Sequence, residues 1–340
     1  MSRAEGLDEV AAVVQRLSVL LAAGVAPASA LAHLAAVVGP GAAAARRRRL
    51  LRAVAVEAGR GRDVTEAILR GAPAARLGTP RGVWRTIPVR RRRFVGASSR
   101  GDEEAGAWAA LAAAWRVASD SGAPVAAALA ELAESMRELA RARRDIDVAL
   151  AGPAATGRVV GALPIVALGF GGLLGFDVIG VLTGTLPGVV CLAGGLMLMA
   201  TAQLWTRRLV RGASPTDPAP GLALDLLAVA LAGGSSVGGA RDRVLAALDD
   251  CGLAAGVGTL DAAEAVLGLS SAAGVPAGRL LRSEAALTRV RAASAARERA
   301  ARLGVTLMLP LGVCVLPSFL LLGVAPMVIA VLFSTFAVAA

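Results

Sequence analysis

The chain contains no lysine and no tyrosine, a single histidine, three cysteines and few aromatic residues. Each absence removes a class of chemistry. Without lysine there is no phosphate-binding Walker loop and no Schiff base. One histidine cannot build a multi-histidine zinc site or a two-metal centre, and His33, on an alanine-rich stretch, reads as structural. Cys191, Cys251 and Cys314 are far apart, show no CxxC spacing and read as small buried hydrophobes rather than as disulfide or metal ligands. No nucleophile stands clustered with a base. The expectation is a protein that is not an enzyme and carries no cofactor.

What is present is apolar and basic. The 340 residues are 56% hydrophobic, with Lys+Arg 36 against Asp+Glu 25, all the former arginine. Mean hydropathy is +0.65. This composition suggests a membrane protein with charged domains outside the bilayer. The arginine and alanine bias is also what a GC-rich genome imposes.

Two regions carry the bilayer signal. Residues 159–205 contain one charge, Asp177. Residues 159–176 are uncharged and about 27 Å long as a helix, enough to span the hydrocarbon core. A second span covers roughly residues 186–204, with Gly175-Phe176-Asp177 and Gly184-Thr185-Leu186-Pro187-Gly188 between them. The pattern predicts a transmembrane hairpin over 158–205. Residues 304–340 lack charge and contain Pro310, Pro317 and Pro326. One long kinked span with an apolar tail is the first reading; two short spans, or one span plus a re-entrant piece, are the alternatives.

No arginine lies in the hairpin loop or after Leu303. The positive-inside rule therefore predicts a multi-pass protein of the cytoplasmic membrane, about three transmembrane helices, with its N-terminus and both large segments cytoplasmic. No signal peptide is visible, because Gln15-Arg16 interrupts the first apolar stretch.

The cytoplasmic segments read as all-α helical bundles over 1–157 and 206–303. Leu7, Val10, Val14, Leu17 and Leu21 share one helix face. Asp63 suits an N-cap. Residues 71–101, rich in proline and glycine, read as a basic loop holding Arg90, Arg91, Arg92 and Arg93. Contact with anionic lipid or an acidic partner and plain solvation both fit that loop; nucleic acid does not, since no binding fold accompanies it. Two strong helices follow. They are joined by Ser121-Gly122-Ala123-Pro124, where Gly122 suits the left-handed cap and Pro124 the next helix start. On the second helix Glu134/Arg137, Glu138/Arg141 and Arg141/Asp145 stand at neighbour spacing. Glu134 and Glu138 are candidate partner contacts beside a solvated-face reading.

The chain repeats itself. Ser121-Gly122-Ala123-Pro124 recurs as Ala273-Gly274-Val275-Pro276, so Gly122, Pro124, Gly274 and Pro276 mark one helix-turn motif used twice. A long Arg/Glu-rich helix follows each, then an apolar stretch containing Leu163-Pro164 or Leu316-Pro317. Upstream, Leu20-Leu21-Ala22-Ala23-Gly24 corresponds to Ala230-Leu231-Ala232-Gly233-Gly234.

This order of parts resembles the type II secretion system F family, in particular the B-type and C-type platform proteins of tight-adherence (Flp-type) pili joined in one chain. The resemblance rests on 149–158 (ALAGPAATGR) with Leu163-Pro164 and Leu174-Gly175, on Leu224-Asp225-Leu226-Leu227-Ala228, and on 309–324 (LPLGVCVLPSFLLLGV). The family's acidic-proline loop here reads Asp177-Val178. The resemblance implies a membrane platform that forms oligomers and couples a cytoplasmic secretion ATPase to extraction and polymerisation of pilin subunits. The rival is a small membrane transporter or permease, which would place ionisable groups within its spans.

Overall fold

A computed structural model describes residues 3–72, 100–173, 178–213, 219–253, 259–326 and 328–329. Every regular element among them is helical: α1 Arg3–Ala22, α2 Pro27–Val37, α3 Ala42–Gly59, α4 Val64–Gly71, α5 Arg100–Ser121, α6 Val125–Leu173, α7 Val178–Gly184, α8 Leu186–Ala213, α9 Leu222–Ala232, α10 Val237–Asp250, α11 Thr259–Ala273 and α12 Ala277–Thr306. The expected basic loop, with Arg90, Arg91, Arg92 and Arg93, lies outside the described residues.

Local sequence accounts for the boundaries. The Asp63 carboxylate accepts from the Thr65 N–H at 2.8 Å, capping α4, and Ser236 Oγ accepts from the Gly239 N–H, capping α10. Gly122 ends α5 at φ +74°. The Ala123 N–H then reaches back to the Ala118 carbonyl and the Gly122 N–H to that of Ser119, satisfying two carbonyls that the helix end leaves open. The Pro124 carbonyl accepts from the Ala128 N–H, so the proline sits where its missing donor costs nothing.

The chain divides into two compact units, Met1–Arg144 with Pro215–Ser294, and Asp145–Ser214 with Ala295–Ala340. This revises the expected partition. The segments 1–157 and 206–303 were expected to form two separate bundles, yet most of their residues build one unit around one core. The reason is burial. In α5, residues from Ala107 to Trp115 are all buried, and in α9 so is every residue from Leu222 to Ala230. A helix covered on all sides needs neighbours from both segments: α5 packs against α1, α4, α9 and α10. Trp108, Leu111, Leu129, Leu224 and Leu281 are fully enclosed, each contributing about 1.5–3 kcal/mol through removal from water.

The second unit is apolar. Among the described residues two helical stretches are long and apolar enough to cross a membrane, Leu186–Thr206 and Ala277–Val324. Their apolar side chains point outward: Leu186, Val190, Met197, Val305, Met308 and Val313 are exposed. Core helices of soluble proteins bury such residues. Between the expected limbs of the hairpin, residues 178–184 form the short helix α7 rather than a plain turn; Asp177 itself lies outside the described residues. α6 continues through Pro153 and Pro164 to Leu173 as one helix, across the boundary at 157/158 expected between bundle and hairpin.

After Thr306 the chain stays helical to Val324. It widens to a π-helix at Leu311–Val315, directly after Pro310, and again at Leu320–Val324, three residues after Pro317. A proline removes one donor from the ladder, and a π segment absorbs the resulting offset. This stretch packs on α8. Ser318 Oγ donates to the Gly195 carbonyl at 2.9 Å. A Cβ on Gly195 would lie 2.4 Å from Leu322 Cγ. Absence of a side chain at Gly195 is therefore what permits the approach.

Candidate functional site

A partly buried cluster of charge in the first unit lies where α6, α9 and α12 meet. Arg289 on α12 is 12% exposed and donates twice. Its Nε reaches Glu138 Oε2 on α6 at 2.7 Å, and its Nη1 reaches Asp225 Oδ2 on α9 at 2.7 Å. Seven residues earlier, Arg282 Nε lies 2.8 Å from Glu131 Oε1. That contact is an ion pair by distance, but its N–H is not aimed at the oxygen, and Glu131 Oε2 is buried with no hydrogen-bond partner.

Glu138 was expected to pair with Arg141 along its own helix, and Asp145 likewise. Instead Glu138 binds Arg289, 151 residues away. In the second unit, Asp145 accepts from Arg297. Arg141 turns back to Glu134, which also lies 3.5 Å from Arg137. Of the two candidate partner contacts, Glu134 therefore keeps its neighbours on its own helix and Glu138 is engaged across helices.

Asp225 feels the seam most. Its carboxyl is pushed up to about 6, first by burial. Arg289 opposes the shift through charge and hydrogen bond, while Glu131 and Glu138 add to it. Three carboxylates here face two guanidinium groups, so a proton on Asp225 relieves an excess of negative charge.

The repeated turns align the two copies. With Gly122 on Gly274, Arg289 falls on Arg137; with Gly24 on Gly234, Asp225 falls on Gln15. The contact is kept: Arg137 Nη1 donates to Gln15 Oε1 at 3.3 Å. So each long helix sends an arginine to the same position of the first helix of its own copy. Gly274 has φ +65°, matching Gly122, and α12 begins directly after Pro276 as α6 does after Pro124. The two rungs Glu131–Arg282 and Glu138–Arg289 advance in the same direction, so α6 and α12 lie side by side and parallel.

The chain matches no known protein family, no curated protein and no solved structure.

The remaining candidates add no chemistry. His33 is exposed on α2 rather than part of the core. Burial pushes the Cys251 thiol up to about 11, which keeps it protonated and inert. Among the described residues no group of three or more His, Cys, Asp or Glu could hold a metal ion. The seam is what sequence reasoning missed. Its trace was present as the heptad spacing of Glu131, Glu138 and Asp145 against Arg282 and Arg289.

Proposed function

We propose that this chain is the cytoplasmic-membrane platform of a pilus-assembly or type II secretion-like machine, a non-enzymatic member of the secretion F type. It would couple a cytoplasmic secretion ATPase to the extraction and polymerisation of pilin subunits. The observation that carries this reading is the duplicated, parallel pair α6 and α12, cross-braced by Glu131–Arg282 and Glu138–Arg289, each followed in sequence by an uncharged stretch. Paired, braced helices that continue into apolar segments suit the transmission of displacement better than they suit chemistry. The seam holds the pair in register, since sliding one helix along the other separates every rung at once.

On this reading the hairpin and the C-terminal stretch sit in the bilayer, and the helical unit faces the cytoplasm. Arg90 to Arg93 would contact acidic lipid headgroups or the motor. The close contact at Gly195 and Ser318 would shape a lateral groove for the apolar segment of a pilin.

The test is capture from a detergent extract of cells producing a tagged chain, with mass spectrometry of what co-purifies. A hexameric secretion ATPase and pilin subunits are the expected companions. Their absence, together with solute flux in proteoliposomes, would overturn the platform in favour of a transporter.

A further inference from the structure

The two copies of the repeat are not equally covered, and the difference designates a docking surface. α5 and α11 are equivalent, each ending at the turn glycine that precedes a long helix. α5 is enclosed. Its contact with the second copy is marked by Arg116, whose Nη1 lies 2.7 Å from Asp250 Oδ2 at the end of α10. It is marked also by Gly233 after α9, where a Cβ would lie 2.2 Å from the Ser121 carbonyl oxygen. On α5, Ala109, Ala112, Ala113 and Val117 are buried. Their counterparts on α11 are Asp261, Glu264, Ala265 and Leu269, all exposed. Gly268 and Ala272 complete that strip at helix spacing and are exposed too.

The other half of the internal contact has an uncovered counterpart as well. Val229 on α9 and Ala247 on α10 are buried, at 5% and 1% exposure. The equivalent residues of the first copy are Val19 on α1 and Val37 on α2, at 57% and 67%. Ala247 is buried where the larger Val37 is exposed, an inversion that a covering partner at Val37 would relieve. Beside Val19, Arg16 is exposed where the second copy has buried Leu226, and it is opposite in sign to Asp261 on the α11 strip.

We propose that a second copy of this chain docks head to tail, its α1–α2 hairpin covering the α11 strip of the first, as α9 and α10 cover α5 within one chain. The contact is heterologous, so each chain keeps one free hairpin and one free strip until a ring closes or a filament grows. It departs from the internal contact at two points. The Arg116–Asp250 pair has Gly268 and Pro40 as its counterparts, so no ion pair repeats there. Ala23 stands where Gly233 stands, and its Cβ forbids the same close backbone approach, so the turn sits further out.

The test is disulfide cross-linking in membranes, with Leu269→Cys on α11 and Val37→Cys on α2, in a chain whose Cys191, Cys251 and Cys314 are alanine. The double variant is expected to give dimers and larger multiples on oxidation. Each single variant stays monomeric, and the two singles produced together give dimers but nothing larger. Dimers from L269C alone, products containing a different protein, or no product at all would each overturn the proposal. In the otherwise unaltered chain, Leu269→Arg and Val37→Arg, both at exposed positions, should each reduce the assembled mass in detergent without lowering the melting temperature; an unchanged mass also overturns it. These readouts are independent of the secretion reading. The ATPase and pilins can co-purify while cross-linking fails, and the reverse.

Discussion

The same polar contact occurs twice in this molecule under different solvent conditions. In the first copy Arg137, 37% exposed, donates at 3.3 Å to the neutral amide of Gln15. In the second, Arg289 is 12% exposed and donates at 2.7 Å to the carboxylate of Asp225. Position is conserved between the copies, but burial and charge are not. An exposed arginine on an amide is near neutral in free energy, because water offers both groups an equivalent partner. A buried arginine between two acids has no such substitute. Removing it leaves charge stranded, although the intact cluster need not stabilise the fold over an apolar replacement. At this position the second copy holds its helices in register, and the first tolerates change.

The largest expected effect tests that asymmetry directly. Arg289→Met should lower the unfolding free energy of the helical unit by about 3 kcal/mol at pH 7.5. Adding Asp225→Asn in the same chain should return most of the loss. Denaturant unfolding in detergent measures both; a double variant as unstable as the single would show that Arg289 acts through packing alone. Next comes Gly195→Val in the apolar unit, where helices meet through absence of bulk rather than through charge. Overpacking against Leu322 should cost about 2 kcal/mol, read as a lower melting temperature that salt does not alter.

Proton linkage gives a smaller effect. The Asp225 carboxyl titrates at about 6 in the folded chain, above its ordinary value of 3.8. Between these values the folded state binds the extra proton, so this group's contribution is fully present below pH 3.8 and is lost as pH rises through 6. Lowering the pH from 7 to 5 should stabilise the wild-type chain relative to D225N by about 1 kcal/mol. Paired melting curves across that range check the sign, and parallel curves would show that Asp225 does not titrate there. The smallest effect is Arg137→Ala, expected within about 0.5 kcal/mol of wild type. A cost comparable to that of Arg289→Met would erase the contrast between the copies.

The helices were legible where punctuation is strong. The helix starts after Pro124 and Pro276 follow from glycine and proline alone. The seam was not, because Glu138 and Arg289 are 151 residues apart, and nearby Arg141 offers a local partner that looks sufficient. Nor could α5 be told from α11. Both are rich in alanine, which fits a buried face and an exposed one equally, so their periodicity does not reveal that one is enclosed and the other covered on one face alone. The fusion of the two segments into one core was hidden for the same reason: it depends on what covers α5 and α9, not on the residues within them.

Two neighbouring helices aligned the same way impose a parity rule on everything between them. After α6 ends at Leu173, the backbone must retrace its path before α12 can set out at Ala277. α8, with 28 residues, is about 42 Å long, enough to cross a hydrocarbon core of about 30 Å, whereas the seven residues of α7 are not. If the proposed platform spans a bilayer, the traversals from α6 to Ala277 must then be even in number. On the proposed membrane reading, excising α8 alone would strand Arg282 and Arg289 across the lipid from Glu131 and Glu138, and no repacking of side chains could reunite them.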